Sequence, residues 1–219
     1  MVLETVAISN NVRLSECFYH MTFVSKRIAR SSKPGQFVLV RITDTVHPLL
    51  RRPFSIAWCE RDAVHLVYKV IGEGTALLAK KKKGERLDVM GPLGRGFSYY
   101  PNRHILLLAG GIGIASLIAL MKVYARERVT LLYGCKNRCE FIARRFLSSR
   151  GTVLYATEDG TRGYRGLVTT LFERCIMRKT VNPSHTVVYA CGPMPMIKAT
   201  VKMAERFGFH GEASLEERM

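Results

Sequence analysis

The strongest constraint on the fold of this chain is a change of hydrophobic periodicity at about Pro101. After that point an apolar run of strand length is followed by an amphipathic run of helix length, four times in succession. The first such pair is ILLLAGG followed by IASLIALMKVYARE. Parallel strands need long crossovers, so this alternation predicts a parallel sheet with helices on both faces. Residues 101–219 are therefore predicted to form an α/β domain.

Residues 1–100 have a different pattern, made of short alternating segments separated by turn residues. Leu66 and Tyr68 fall on one face of such a segment, and the Asn10-Asn11 pair is typical of a turn. This pattern predicts a small antiparallel β-barrel. A chain of 219 residues has room for two domains of roughly 100 residues each.

The charge of the chain could indicate a nucleic-acid partner. Its 34 Lys and Arg residues against 17 Asp and Glu residues give a net charge of +17. The excess is spread evenly over both halves, however, and no basic motif is interleaved with aromatic residues. The dense run KKKKG, residues 80–84, is typical of a helix end capped by glycine. We therefore expect no nucleic-acid partner.

The apolar and cysteine patterns bear on the location of the protein. The longest uncharged run, residues 105–121, is just long enough to cross a bilayer, but it contains three glycines. We therefore expect no membrane span. The chain opens without a signal-peptide pattern and its six cysteines include no C-x-x-C pair, so a cytoplasmic protein with reduced thiols is expected. Cys135 and Cys139 could share a metal ion, but no second pair supplies further ligands.

A glycine-rich loop marks a candidate nucleotide site in the second half. In AGGIGIAS, Gly110, Gly111 and Gly113 follow a strand and open a helix, so backbone amides could face a pyrophosphate. The glycines could also serve only to pack the helix on the strand. Most dinucleotide-binding folds hold the ribose with a carboxylate at the end of the second strand. Here the second strand ends in LLYGCKNR, and no carboxylate follows it before Glu140. This indicates a nucleotide site of a different lineage.

The first half contains a second candidate site. In RRPFSI, Arg52 could pair with a phosphate, Phe54 could lie against a flat ring and Ser55 could donate a hydrogen bond. About twenty residues later Gly74 and Thr75 fall at a predicted helix start, which favours anion binding. Together these features suggest a flavin dinucleotide. Taken alone, RRPFSI would favour an edge strand that contains proline.

Six motifs occur in the order and spacing of the ferredoxin-reductase family of flavoproteins: RPFS, GT, GPLGRGF, AGGIGIA, ATEDGTRGYRG and CGPMPM. The chain is similar in particular to the FAD/iron-sulfur electron-transfer subunit of NAD-dependent dihydroorotate dehydrogenase. The resemblance implies that residues 1–100 form an FAD-binding barrel and that residues 101–219 form an NAD-binding domain. It also implies that the chain transfers electrons between NAD(H) and a dihydroorotate dehydrogenase catalytic subunit that contains FMN. Such a complex would be a heterotetramer that serves pyrimidine biosynthesis.

Two alternatives remain open at this point. The chain could be another NAD(P)H-dependent reductase of the same superfamily, acting with a ferredoxin or sulfur partner. It could also be a basic nucleic-acid-binding or scaffold protein that has lost its cofactors.

The resemblance also implies which residues hold the cofactors. The residues expected to bind FAD are Arg52, Pro53, Phe54, Ser55, Val67, Tyr68, Lys69, Gly74 and Thr75. The residues expected to bind the nicotinamide dinucleotide are Gly110, Gly111, Gly113, Thr157, Asp159, Gly160, Gly192 and Pro193. Cys191 would at most position the nicotinamide, because hydride transfer between cofactors needs no side-chain acid or base. Ser116 stands where family members usually have proline, and we expect only a small change in nucleotide affinity from it.

Two further expectations concern NAD and the iron-sulfur cluster. The resemblance favours NAD over NADP, although Lys136 and Arg138 beside the second strand could pair with a ribose phosphate. In the resembled subunit a segment like SLEERM runs into cysteines with C-x4-C-x2-C spacing, which bind a 2Fe-2S cluster. None of the six cysteines here has that spacing. The residues present are therefore expected to bind no metal, and the chain is expected to be a fragment.

Overall fold

The computed structural model describes residues 1–43, 49–124, 128–142 and 151–215, and the structural statements that follow refer to these residues. The chain divides into two compact units, Met1–Phe97 and Ser98–Met219. Within the described residues, no helix combines the length and the apolar character that crossing a membrane requires.

The first unit is a closed barrel of six antiparallel strands with two short helices. Its elements are β1 (Val2–Arg13), β2 (Phe18–Val24), α1 (Lys26–Ser31), β3 (Phe37–Arg41), β4 (Arg52–Glu60), β5 (Ala63–Lys69), α2 (Glu73–Lys80) and β6 (Arg86–Leu93). The strand order around the barrel is β1-β2-β5-β4-β3-β6. The prediction of an antiparallel β-barrel is confirmed.

The interior of the barrel follows the alternation expected of half-buried strands. Leu66 and Tyr68 both lie in its apolar core, as their spacing predicts. The turn predicted at Asn10-Asn11 is wrong, because β1 continues through both residues with a bulge between Ile8 and Asn10. The first half of β1 pairs with β6 and the second half pairs with β2. A bulge lets one long strand bend around the barrel in this way.

The second unit is a parallel sheet with helices packed on it. Its elements are β7 (His104–Gly110), α3 (Ile114–Val123), β8 (Val129–Cys135), β9 (Thr152–Thr157), β10 (Tyr164–Arg165), α4 (Val168–Met177), β11 (Thr186–Cys191), α5 (Met194–Phe207) and β12 (His210–Ser214). The strand order is β10-β9-β8-β7-β11-β12, and every neighbouring pair is parallel. The predicted α/β fold is confirmed. The helix expected from EFIARRFLSS falls mainly on residues 143–150, outside the described residues.

Helices cover both faces of this sheet. Helices α4 and α5 contact each other and bury Leu106 and Leu108 of the central strand β7. Ile105 and Leu107 alternate with these residues and are also fully buried, and α3 packs on β7 and β11. The last strand, β12, includes Gly211 and pairs with β11.

Candidate functional site

The glycine loop that is predicted to bind a nucleotide lies at the point where the winding of the second unit's sheet reverses. From the central strand β7 the chain proceeds outward through β8, β9 and β10, and then crosses to β11 on the other side of β7. The loops after two strands diverge at such a point and leave a crevice in which ligands bind. Because Ala109 pairs with Cys191, Gly110–Gly113 and Gly192-Pro193 follow adjacent strand ends.

The glycines of this crevice have two different functions. A Cβ added at Gly113 would lie 2.2 Å from the Cys191 carbonyl oxygen, and one added at Gly110 would lie 2.6 Å from Met196 Sδ. One added at Gly192 would lie 3.0 Å from the Gly110 backbone, so these three glycines let the two loops touch. Gly111 has φ +54°, and a Cβ there would meet nothing within 4 Å. Gly111 is therefore the glycine at which a ligand could approach the backbone.

Cys191 lies behind the crevice, packed against α3. Both Cys191 and Ser116 are fully buried, and the Ser116 hydroxyl oxygen is 3.3 Å from the Cys191 sulfur. Ser116 is the third residue of α3, so this contact joins the first turn of the helix to the end of β11. The thiol thus contributes to the shape of the loop, and its expected part in positioning a nicotinamide stays a prediction.

The loop after β9 is held by its own polar side chains. The Thr157 hydroxyl donates to the Arg162 carbonyl at 2.9 Å and accepts from the Arg162 amide at 3.0 Å. The Asp159 carboxylate accepts from both the amide and the hydroxyl of Thr161, and these hydrogen bonds lower the pKa of Asp159. Thr157 and Asp159 therefore order the loop, and direct contact between either residue and a nucleotide stays a prediction.

The loop after β8 is joined to this one and carries two exposed cations. The Arg138 amide donates to the Thr161 hydroxyl at 2.9 Å. Gly160, which precedes Thr161 in the loop after β9, has φ +79°. The Lys136 amide lies 3.4 Å from a carboxylate oxygen of Glu140. Neither Lys136 nor Arg138 forms an ion pair with another described residue, so both remain available to an anionic ligand.

In the first unit, the residues predicted to bind FAD lie on β4, β5 and α2. The described pairing of β4 with β5 ends at Ile56 and Leu66. The earlier part of β4, which includes Arg52–Ser55, pairs with β3, whereas Val67–Lys69 continue along β2. Most of the residues predicted to bind FAD thus lie beyond the point where the described pairing of β4 with β5 ends.

Arg52, a cation on β4, lies beside the start of α2. The Arg52 guanidinium donates to the Leu50 carbonyl at 2.8 Å, and a Cβ added at Gly74 would lie 3.3 Å from Arg52 Nε. The Thr75 hydroxyl accepts from the Gly72 amide at 3.2 Å and closes the first turn of α2. The absence of a side chain at Gly74 lets Arg52 lie against that turn. A cation next to first-turn amides suits a phosphate group, so these residues fit a flavin dinucleotide.

Three of the residues predicted to bind FAD, Phe54, Val67 and Tyr68, are buried in the unit. Phe54 is 6% exposed and packs edge-on against Tyr68, with the ring centroids 5.6 Å apart. Val67 and Tyr68 are each 2% exposed, and the Lys69 ammonium lies 5.7 Å from the centroid of the Phe18 ring. Pro53 is exposed and Ser55 is half-buried. Contacts between these side chains and a flavin stay predictions.

Asn11 is a residue of this site that the sequence did not identify. Its amide nitrogen donates to the carbonyls of Leu78 and Lys81, each at 2.9 Å, and its amide oxygen accepts from the Tyr68 hydroxyl at 3.0 Å. Burial raises the pKa of Tyr68, which keeps its hydroxyl a donor. Asn11 thereby attaches the end of α2 to the barrel. The signal for it was an asparagine within a strand-like pattern, which also occurs at bulges.

Replacing Asn11 with alanine is expected to destabilise the protein by about 1–3 kcal/mol, because its partners lose their hydrogen bonds. Since α2 also supplies the amides beside Arg52, we expect FAD to bind roughly tenfold more weakly, equivalent to about 1.4 kcal/mol. Fluorescence titration of the apoprotein with FAD measures this. Asn10→Ala is the matched control, because Asn10 is exposed and makes no described side-chain hydrogen bond. Equal FAD affinity in the two variants would contradict the role assigned to Asn11.

The described residues do not provide an iron-sulfur site. None of the six cysteines forms a disulfide, and no three His, Cys, Asp or Glu side chains converge in the described part of the chain. Cys135 is buried and Cys139 is exposed, and no further ligands accompany them among the described residues.

The chain is similar to known oxidoreductases along most of its length. Residues 107–202 match the family model described as the oxidoreductase NAD-binding domain. The chain is 39% identical over 208 residues to the dihydroorotate dehydrogenase B (NAD(+)) electron transfer subunit of Desulforamulus reducens, covering 92% of this chain and 78% of that protein. It is 34% identical to the subunit of the same name from Fusobacterium nucleatum, covering 100% of this chain and 85% of that protein.

Solved structures share the fold. An NADH-dependent reduced ferredoxin-NADP oxidoreductase superposes with a TM-score of 0.85 at 27% identity, covering 98% of this chain and 77% of that one. A ferredoxin NADP+ reductase from Neisseria gonorrhoeae, with bound FAD and NADP, superposes with a TM-score of 0.80 at 17% identity, covering 97% and 99% of the two chains. The second of these likenesses is one of fold alone.

Proposed function

The chain belongs to the family of dihydroorotate dehydrogenase B (NAD(+)) electron transfer subunits, and on that premise we propose that it carries electrons between NAD(H) and a dihydroorotate-oxidising subunit through bound FAD. The partner would be an FMN-containing catalytic subunit in a heterotetramer that serves pyrimidine biosynthesis. FAD supplies the chemistry that such a carrier needs, since it exchanges hydride with nicotinamide and releases electrons singly.

The observation that carries this proposal is the position of Arg52 beside the first turn of α2. The Arg52 guanidinium and the backbone amides of Gly74 and Thr75 would hold the FAD pyrophosphate, because a charge-assisted contact and a helix start both favour phosphate. The parts of β4 and β5 beyond their mutual pairing would contact the rest of the cofactor. Alanine at position 74 would crowd Arg52 and weaken the site.

The nicotinamide dinucleotide would bind in the crevice at the ends of β7 and β11. Gly111 would let the pyrophosphate approach the start of α3, and Pro193 would lie on the neighbouring loop. The loops after β8 and β9 would take the adenosine end. Lys136 and Arg138, which form no ion pair with another described residue, are the feature that favours a second candidate, an NADP-linked reductase of the same superfamily.

Co-expression with a dihydroorotate dehydrogenase catalytic subunit tests the proposal. We expect the two chains to co-purify as a yellow complex in which NADH reduces the FAD at least tenfold faster than NADPH does. The catalytic subunit alone should not oxidise NADH. A flavoprotein that oxidises NADH but never pairs with this subunit would favour the second candidate, and a colourless protein would exclude both.

A further inference from the structure

Three exposed aliphatic side chains lie beside the proposed phosphate site of the first unit. Ile71 is 80% exposed, Leu49 is 62% exposed and Leu50 is 60% exposed. They are three of the six large apolar side chains that are exposed in the described part of this unit, so exposed apolar surface is concentrated here. We refer to Leu49, Leu50 and Ile71 as the apolar rim.

The apolar rim is joined to the phosphate site by hydrogen bonds on two sides. The Arg52 guanidinium donates to the Leu50 carbonyl at 2.8 Å, and the Ile71 amide donates to the Thr75 hydroxyl at 3.0 Å. A Cβ added at Gly74 would lie 3.3 Å from Arg52 Nε, so Arg52 itself lies against the first turn of α2. Leu50 and Ile71 therefore flank one group of residues that is proposed to hold a diphosphate.

The backbone on both sides of Ile71 is held in place. Its neighbour Val70 packs against the barrel core and donates its amide to the Cys17 carbonyl at 2.8 Å. On the other side the Gly72 amide donates to the Thr75 hydroxyl at 3.2 Å. The Ile71 side chain is thus kept in solvent by an ordered segment. A bound group that covered it would gain affinity from the apolar surface removed from water.

We propose that the apolar rim is the subsite for the adenine of FAD, an inference that rests on the proposed function. The diphosphate is in the middle of FAD, so a cofactor held there by Arg52 and α2 extends from the site in two directions. Phe54 and Ser55, which are predicted to contact the flavin, follow Arg52 in the chain, whereas Leu49 and Leu50 precede it. The flavin takes one direction, and the apolar rim lies in the direction that is left for the adenosine.

The chemistry of the apolar rim suits adenine. The two faces of a purine ring are apolar and neutral, and aliphatic side chains can pack on them while the edge of the ring keeps its hydrogen bonds to water. The flavin is the other group that could cover these side chains. FMN separates the two cases, because it has the same flavin and one phosphate but no adenosine.

The ratio of the dissociation constants for FMN and FAD tests the subsite. We expect the wild-type apoprotein, titrated with each flavin and followed by flavin fluorescence, to bind FAD at least tenfold more tightly than FMN. Ile71→Ser and Leu50→Ser should each weaken FAD binding roughly tenfold, because each removes one covered aliphatic side chain, and should leave FMN binding unchanged. Both variants keep the backbone groups that bond to Thr75 and Arg52.

Ile71→Phe tests the same subsite by a gain of affinity. An aromatic ring stacks on a base more favourably than an aliphatic side chain does. FAD should therefore bind about threefold more tightly to this variant, and the affinity for FMN should stay at the wild-type value.

Val24→Ser is the matched control for Ile71→Ser. Val24 is also β-branched and is 57% exposed, but it pairs with Ala63 at the start of β5, whereas Ile71 follows the end of that strand. This variant should bind both flavins as the wild type does, and circular dichroism should show that all the variants are folded.

Three outcomes would overturn the inference in different ways. If the serine variants weaken FAD and FMN binding equally, the apolar rim contacts the flavin half of the cofactor and not the adenine. If they weaken neither, or if the wild type binds the two flavins equally, the adenine subsite is wrong while the proposed function stands. If the wild-type apoprotein binds neither flavin, the proposed function fails and the inference fails with it.

Discussion

Replacing Arg52 with alanine is expected to give a folded protein that has lost most of its FAD. The substitution removes a cation that lies against the first turn of α2, where the diphosphate is proposed to bind. A charge-assisted hydrogen bond contributes about 1.5–3 kcal/mol, which corresponds to a loss of affinity of roughly 10- to 150-fold. A noncovalent flavin bound that much more weakly dissociates during gel filtration. The ratio of absorbance at 450 nm to that at 280 nm measures the remaining occupancy.

The neighbouring arginine provides the control for this experiment. Arg51 forms an ion pair with Asp88 at 2.8 Å and also donates to the Asp88 carbonyl, so it is engaged with β6 and not with α2. Arg51→Ala should lower the melting temperature slightly but keep the flavin. Arg52→Lys should keep part of the flavin, because it retains the charge without the planar fork. Full flavin occupancy in Arg52→Ala would show that the pyrophosphate binds elsewhere.

The sequence was sufficient to predict both halves of the fold, because hydrophobic periodicity reports directly on which side chains are buried. Buried residues alternate with partly exposed ones in the first part of β5, which has one face in the barrel core. Strand β7 is apolar along nearly its whole length, because helices cover both faces of its sheet. The same local pattern led to an error at Asn10-Asn11, where tertiary pairing with β6 and then β2 extends one strand through a turn-like pair. Turn propensity depends only on residues that are neighbours in the chain. Here the pairing of β1 with β6 and β2 keeps both asparagines in the strand.

Single motifs in the sequence indicate parts of the two candidate sites, but they do not show which parts come into contact. RPFS and AGGIG indicate a cation and a glycine loop, but not that Arg52 would lie against Gly74 or that Asn11 would hold α2. These contacts join residues that are far apart in the chain. The glycine motif also contains two kinds of glycine that no local pattern separates. Gly113 is required by a neighbouring backbone, whereas Gly111 is required by its own conformation.

Gly113→Ala is expected to destabilise the protein by about 3 kcal/mol or more. The backbone at Gly113 is helical, with φ −55°, so alanine fits its conformation. The added Cβ would however lie 2.2 Å from the Cys191 carbonyl oxygen, and this backbone belongs to the buried strand β11. The strand end or α3 must therefore shift. For a chain of this size we expect the melting temperature to fall by roughly 6–12 °C, as measured by circular dichroism.

Gly111→Ala separates the effect of space from that of backbone conformation. Its Cβ would meet no protein atom within 4 Å, and its φ of +54° makes alanine unfavourable by about 1–2 kcal/mol. The melting temperature should therefore fall less than in Gly113→Ala. The KM for NADH should rise at least tenfold, because the new methyl group would occupy the side of the loop where the dinucleotide is proposed to lie. If the KM for NADH is unchanged in Gly111→Ala, the nucleotide does not bind over Gly111. If Gly113→Ala melts like the wild type, the two loops are not in contact as the structure has them.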